Sequence, residues 1–385
     1  MRVIARTGII SMRDIEIKAS IVLYTLKYFL DRSSVSNFSS TLLSDIFLAL
    51  SVLFLMLFLM RNMLNRVANI NKFPVIKTIS LVVLVAIAVL IFRVIPYVIY
   101  IYTILLIVSA RYVDGKVILQ TIKKSMIIML LILICSSLVG VIPNISTVTG
   151  RYNLGLESRT VGWYVLNYSA IVLYYRKKKE KNIYLWLITI NSVVFFFTKT
   201  RLSFILFFIM IIFSALEDYD IKLGRMIQKV LSYSFLALFF VMLLLTTNYT
   251  RFPVIDNLFS GRLRFGMRVI NAYGIGLWPR LIEYFTQKFE TGSFTMYVDS
   301  GYIDLLVRFG IVLTGVVLIG YTILAQQAVK NKNYRLFIWL LTIALFNMVN
   351  NSFFNVFYDS SVILFWTNNF YYNVKDNKID CWAND

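Results

Sequence analysis

Long apolar runs set the first constraint on this chain. Residues 42–60 and 230–245 consist mostly of Leu, Ile, Val, Phe and Met. A bilayer's hydrocarbon core is ~30 Å thick, and roughly 20 helical residues cross it. The runs do not alternate with period two, and lipid offers no partner to a backbone N–H or C=O, so helices are expected rather than barrel strands. Hydrophobic residues make up 59% of the 385, charged ones 15%. That is more apolar surface than one water-soluble core of this length hides. The expectation is an all-α, polytopic membrane protein forming a single integral membrane domain over residues 1–385.

About twelve spans are expected, at 19–30, 41–60, 78–92, 96–110, 125–142, 160–175, 183–198, 202–215, 230–247, 301–324, 336–350 and 359–372. Pro96 cannot continue a helix ladder and separates the third from the fourth. The basic residues 1–20 contain neither a clean apolar core nor a small-residue cleavage site, so no removable signal peptide is read. Cys135 in a span and Cys381 in the tail give no disulfide framework.

The formal charge of +20 is explained by basic loops that fix topology, and nucleic acid is not expected as a partner. With the N-terminus cytoplasmic, the inside loops hold 25 Lys and Arg and the outside loops 12. Arg176-Lys177-Lys178-Lys179 is the strongest inside marker. Both termini are then cytoplasmic. A large extracytoplasmic loop, about 248–300, carries six of the outside cations; loops of that length are more often functional.

Histidine is absent, which excludes His-based zinc sites and Ser-His-Asp triads. No P-loop pattern occurs. Neither a cofactor nor a metal is expected, and chemistry falls to arginines, tyrosines and a few carboxylates. Within the large loop, Ser260-Gly261-Arg262-Leu263-Arg264-Phe265-Gly266-Met267-Arg268 predicts a short amphipathic helix. Arg264 and Arg268 share one face, and Leu263, Met267 and Ile270 another. Two readings stand: an interfacial helix with its apolar side in lipid and its arginines on headgroups, or paired guanidiniums suited to a diphosphate. Arg201, opening the eighth span, is either a snorkelling anchor or a ligand. Arg151 and Arg159 flank the sixth span. Asp304 and Arg308, four apart, read as a buried pair. Asp299 reads either as a helix cap or as a general base for a sugar hydroxyl; Glu157 and Glu283 are weaker candidates. Arg262, Arg280 and Tyr273 of the same loop complete the substrate-binding candidates, and Trp163 and Trp278 are candidate sugar-stacking rings.

This layout resembles Wzy-type oligosaccharide-repeat polymerases, relatives of the O-antigen ligases that serve bacterial capsule, exopolysaccharide or O-antigen assembly. Gly150-Arg151 through Gly162-Trp163 is similar to the family segment before a central span, with arginine, ten residues, then glycine. Thr198 to Ser203 resembles its outer threonine–serine–arginine element, with Arg201 at the arginine. Ser260 to Arg268 followed by Gly274-Ile275-Gly276-Leu277 resembles its arginine helix and glycine turn, and Asp299 to Gly310 the point where the large loop re-enters the membrane. The chain departs from the family pattern at three places, one being that the asparagine often found before the central span is replaced around Ser158-Arg159. No glycine stands at the ten-residue spacing after Arg262 or Arg264, and Asp299 stands where ligases usually have histidine, which favours polymerase over ligase.

The resemblance implies a GT-C-like, metal-independent glycosyltransferase of the bacterial cytoplasmic (inner) membrane, working at its outer face on polyprenyl-diphosphate-linked oligosaccharide. Arg264, Arg268 and Arg201 would bind diphosphate with Arg151 assisting, and Asp299 would be the base. Membrane lipid, a flippase and a chain-length regulator are the implied partners. A lipid-linked oligosaccharide flippase or other transporter is the rival expectation; such a protein would place paired charges and broken helices near the midplane. Here the embedded charges are few and the unusual residues gather in one outer loop, which favours chemistry at the outer face. A ligase-type transferase and a non-catalytic assembly partner are others.

Overall fold

The computed structural model describes residues 2–33, 40–67, 98–145, 152–156, 160–176, 180–219, 224–283, 285–289 and 292–366. They are helical apart from one β-hairpin and the connecting segments. Among them, four helices are long and apolar enough to cross a membrane: Leu42–Asn62, Gly115–Leu138, Lys181–Thr198 and Gly301–Lys330. A fifth is reached if Arg225–Leu231 and Ser234–Thr247, bent by 53°, are one span. The chain divides into two compact units, 1–83 with 102–211 and 356–370, and 84–101 with 212–355 and 371–385.

The first unit holds α1 (Arg2–Arg32), α2 (Ser40–Val67), most of α3 (Val98–Ser109), α4 (Gly115–Leu138), α5 (Val161–Tyr175), α6 (Lys181–Thr198), the start of α7 (Arg201–Asp218) and a 3-10 turn, Ser360–Trp366. Helix α2 buries Leu55, Phe58 and Leu59 but also exposes a long row of apolar side chains. Leu42, Ile46, Leu50, Leu53, Leu57 and Met60 are exposed, while Ser44, Ser51 and Asn62 are buried. That pattern suits a helix whose solvent is lipid, because its polar groups must find partners inside the protein. Ser20 Oγ donates to the Ser51 carbonyl (2.9 Å) and lies 3.1 Å from the Tyr102 hydroxyl. Tyr24 stacks on Tyr102 at 3.6 Å. The hydroxyls of Tyr28, Tyr164 and Tyr358 form a buried chain, at 3.4 and 3.3 Å from the central Tyr164. Asn167 holds the 3-10 turn, donating to the Phe357 carbonyl (3.0 Å) and Ser360 Oγ (2.8 Å) and accepting from the Ser360 amide (3.1 Å).

The second unit holds the end of α7, α8 (Arg225–Leu231), α9 (Ser234–Thr247), a 3-10 turn (Tyr249–Arg251), α10 (Pro253–Leu258), α11 (Arg262–Tyr273), α12 (Gly301–Lys330) and α13 (Tyr334–Phe346). Strands β1 (Phe285–Phe289) and β2 (Gly292–Met296) pair antiparallel, with Phe285 opposite Met296 and Gln287 opposite Phe294. Gly301 packs so closely on α13 that a side chain there would strike Asn347. Its amide donates to the Asn347 carbonyl at 2.9 Å, and the Tyr302 hydroxyl reaches the Ala344 carbonyl at 2.9 Å.

Helix α12 is broken at Gly310 (φ 77°, ψ 171°). Tyr302 and Tyr321 both pack on Phe353, with ring centroids 5.5 and 5.6 Å away. A straight helix would hold residues nineteen apart about 28 Å from each other, so the two halves turn sharply against one another. Segment 274–280 fills the break. Ile311 N–H donates to the Gly276 carbonyl (2.9 Å) and Val312 N–H to that of Leu277 (3.3 Å), while the Arg280 amide donates to the Arg308 carbonyl (2.9 Å). With Arg280 Nε on the Val307 carbonyl, two of the groups that a helix end leaves unpaired find partners on each side of the break.

Several boundaries shift from the sequence expectations. Helix α4 begins at Gly115, ten residues before the expected span, because Ile118, Leu119 and Ile122 are already buried. The span expected at 230–247 is the bent pair α8–α9. The one expected at 301–324 is broken at Gly310, and that at 336–350 ends at Phe346, where Asn347 caps it. The span expected at 359–372 is a 3-10 turn as far as residue 366, where Asn167 holds Ser360. The remainder of that span, and the one at 78–92, lie outside the described residues. The loop expected at 248–300 contains two helices and the hairpin.

Candidate functional site

The arginine helix is where the sequence places it, and the second unit builds it from its N-terminus. Pro253 opens α10 at a position where a missing N–H is harmless. The turn to α11 passes through Ser260 and Gly261, both at positive φ (59° and 78°). It carries Asp256 to the start of α11, where Oδ1 accepts from the amides of Leu263 (3.1 Å) and Arg264 (3.2 Å). The carboxylate therefore occupies the positive end of the helix dipole. Leu263, Gly266 and Val269 are buried. Val269 belongs to a small core with Ile282, Val298, Ile303 and Val307. Val269 and Ile270 thus pack on protein, while Met267 and Ile270 keep part of their surface exposed.

On the other side Arg264 is exposed and Arg268 half-buried. Both guanidinium carbons lie near one ring, 5.7 and 5.6 Å from the centroid of Phe265, within range of a cation–π attraction. Phe265 in turn tilts against Tyr297, 5.8 Å between centroids. Sequence reasoning passed over Phe265; an aromatic residue at i+1 of one arginine and i−3 of the next was the signal available.

Asp299 joins this cluster. Arg262 Nε donates to its Oδ2 at 2.5 Å, and the Tyr297 hydroxyl donates to the same oxygen. Burial, then the Asp299 charge and this hydrogen bond, push the Tyr297 phenol up, with Arg262 pulling partly back. Oδ1 of Asp299 receives no hydrogen bond among the described residues. The capping expectation for Asp299 is corrected: Ser300 holds the N-cap position of α12, and Asp299 turns to Arg262.

Arg280 has a different setting. Its Nε donates to the Val307 carbonyl (3.0 Å), and its two terminal nitrogens donate to the carbonyls of Tyr273 and Gly274. The guanidinium clamps the end of α11 to the break in α12. Tyr273 packs against the small core, its hydroxyl 3.4 Å from the Glu283 carbonyl. Asp304 and Arg308 form the expected buried pair, Oδ1 to Nη2 2.9 Å, with Tyr100 (3.3 Å from Arg308 Nη1) and Asn351 as further partners.

Arg201 belongs to the first unit, exposed at the start of α7. The preceding turn uses Lys199 at φ 54°, and Thr200 and Ser203 pack so tightly on Gly162 that no side chain fits there. Gly162 is therefore required for close helix approach. Trp163, in α5, meets the Tyr358 ring edge-on at 5.4 Å; Trp278 is exposed. Arg151, Glu157 and Arg159 lie outside the described residues. Compared with protein-family models, curated proteins and solved structures, the chain matches none.

Proposed function

We propose that this membrane-embedded chain is a glycosyltransferase that polymerises polyprenyl-diphosphate-linked oligosaccharide repeat units at the outer face of a bacterial cytoplasmic membrane. The observation that carries the reading is the α11 cluster. Two guanidiniums one helical turn apart share the Phe265 ring, beside a carboxylate, Asp299, with one oxygen free of hydrogen bonds among the described residues. Arg264 and Arg268 bind the diphosphate of the donor through charge-assisted bonds that strengthen as the leaving group gains charge. The acceptor hydroxyl attacks the anomeric carbon, the bond to the diphosphate breaks, and Oδ1 of Asp299 takes the proton. Arg262 and Tyr297 orient that carboxylate. Arg280 and Tyr273, first assigned to substrate, serve in this reading to fix the base of α11. Arg151 and Arg201 enter it from the sequence resemblance alone, as do the GT-C-like fold, the twelve spans and the cytoplasmic termini.

The break in α12 favours a second reading, a lipid-linked oligosaccharide transporter, because transporters build sites from interrupted helices. Against it, the chain's own segment 274–280 satisfies the exposed backbone groups, which in a transporter coordinate the cargo.

The test is purified protein with synthetic polyprenyl-diphosphate repeat units, without nucleotide or metal, resolved on a gel. A ladder that is lost in Arg264→Ala and Arg268→Ala and poorly restored by Lys, which lacks the fork geometry, is expected. Normal ladders from both alanine variants would remove the diphosphate assignment. No ladder, together with repeat-unit flipping in liposomes, would select the transporter.

A further inference from the structure

The junction at Gly310 carries a conclusion about the membrane itself. Residues 311–330, roughly 20 residues, rise about 30 Å, a full hydrocarbon crossing without the first half of α12. The shared packing of Tyr302 and Tyr321 on Phe353 shows that residues 301–309 fold back instead of prolonging that crossing. The two halves also differ in surroundings. Every residue from 301 to 310 is buried, whereas Ile311, Val312, Val316, Ile319 and Ile323 form an exposed apolar stripe.

That stripe continues past the break onto the segment bonded into it. Ile275, Leu277, Trp278 and Leu281 are exposed, and the carbonyls of Gly276 and Leu277 are fixed to Ile311 and Val312 at the top of the stripe. Arg280, the only charge between residues 274 and 282, turns its guanidinium inward to three carbonyls, leaving the exposed side uncharged. We infer that segment 275–281 is an interfacial membrane anchor. Its apolar side chains sit among lipid at the hydrocarbon boundary, and that boundary runs through Gly310. Lipid is the occupant because the patch is continuous with the lipid-facing side of a spanning helix. An exposed Trp beside Leu and Ile suits the interface, where an amphipathic ring is most favourable. The inference does not depend on the enzymatic reading.

The test uses full-length protein in liposomes, with Cys135 and Cys381 replaced by Ser and one new cysteine carrying an environment-sensitive fluorophore. Trp278→Cys and, independently, Leu281→Cys probe the anchor, Val316→Cys the bilayer interior and Lys332→Cys the water phase. Nitroxide lipids spin-labelled shallow or deep, and aqueous iodide, are the quenchers. The shallow nitroxide should quench positions 278 and 281 more than the deep one, with the order reversed at 316, and iodide should quench both far less than 332. Iodide quenching at 278 and 281 equal to that at 332 would overturn the anchor. Deep quenching there equal to that at 316 would overturn the boundary.

Discussion

Replacing Gly310 by alanine loads the junction at its narrowest point. The backbone there (φ 77°, ψ 171°) lies in a region open essentially to glycine, and a residue with a β-carbon held in it costs of order 1–3 kcal/mol. The added carbon would also lie 2.6 Å from the carbonyl carbon and oxygen of Leu277 and 2.7 Å from the Trp278 amide nitrogen. These are backbone atoms, so no rotamer change relieves the clash and segment 274–280 must move. Its movement strands the Ile311 and Val312 amides, each at about 1–3 kcal/mol if buried without a partner. Together the cost is roughly 3–9 kcal/mol, a large part of the 5–15 kcal/mol net stability typical of a folded domain. Thermal melts followed by size-exclusion chromatography in detergent measure it. Two glycines serve as controls. Gly140 has positive φ (84°) with nothing near its missing side chain, so alanine there reports only the backbone term. Gly315 is helical with open space, and alanine should leave stability unchanged or slightly raised. Gly310→Ala is expected to fall furthest; a midpoint equal to that of the parent protein would refute the account of the junction.

Three further substitutions probe the surrounding construction. Asp304→Leu strands Arg308 in the interior and should cost about 3–5 kcal/mol; an unchanged melting midpoint would mean the pair is not holding the buried charge. Asp256→Ala removes the carboxylate at the start of α11 and should cost about 0.5–2 kcal/mol, with Asp256→Asn close to the parent; equal losses from both would point to something other than capping. Tyr297 keeps its proton in the fold above the ordinary phenol value, whereas the unfolded chain releases it near pH ~10. Above that pH the unfolded state binds fewer protons, so stability is unaffected by Tyr297 below pH ~10 and declines as pH rises further. Tyr297→Phe should flatten the alkaline decline in denaturation curves; identical slopes in both proteins would refute it.

What sequence alone revealed was whatever local pattern determines. Apolar runs marked the helices of both units, and the four-residue spacings of Arg264 with Arg268 and Asp304 with Arg308 located a shared face and an ion pair. Contacts between distant residues were hidden. Around the break, Arg308-Phe309-Gly310-Ile311-Val312 reads as part of one apolar helix, because the reason for its glycine lies some thirty residues earlier, at Leu277. Asp256 gives no sign of capping a helix seven residues on, since the intervening turn needs two residues at positive φ. Asp299 looked like a cap because it stands just before α12, yet Arg262 and Tyr297 claim it through space. Residues 360–366 are apolar enough to suggest part of a span, and the 3-10 turn they form is held at Ser360 by Asn167, far back in the chain.

The hydroxyl chain of Tyr28, Tyr164 and Tyr358 has a consequence for biogenesis. Its members lie 136 and 194 residues apart in sequence, so they leave the ribosome at widely separated times. At about 5–20 residues per second, Tyr358 follows Tyr164 by roughly 10–40 s. For that interval the early helices hold phenols whose final partner has not been made, and a hydroxyl in an apolar setting without a partner is costly. Tyr28 and Tyr164 can bond each other during that interval, and the chain of three hydroxyls is completed only once Tyr358 has been made.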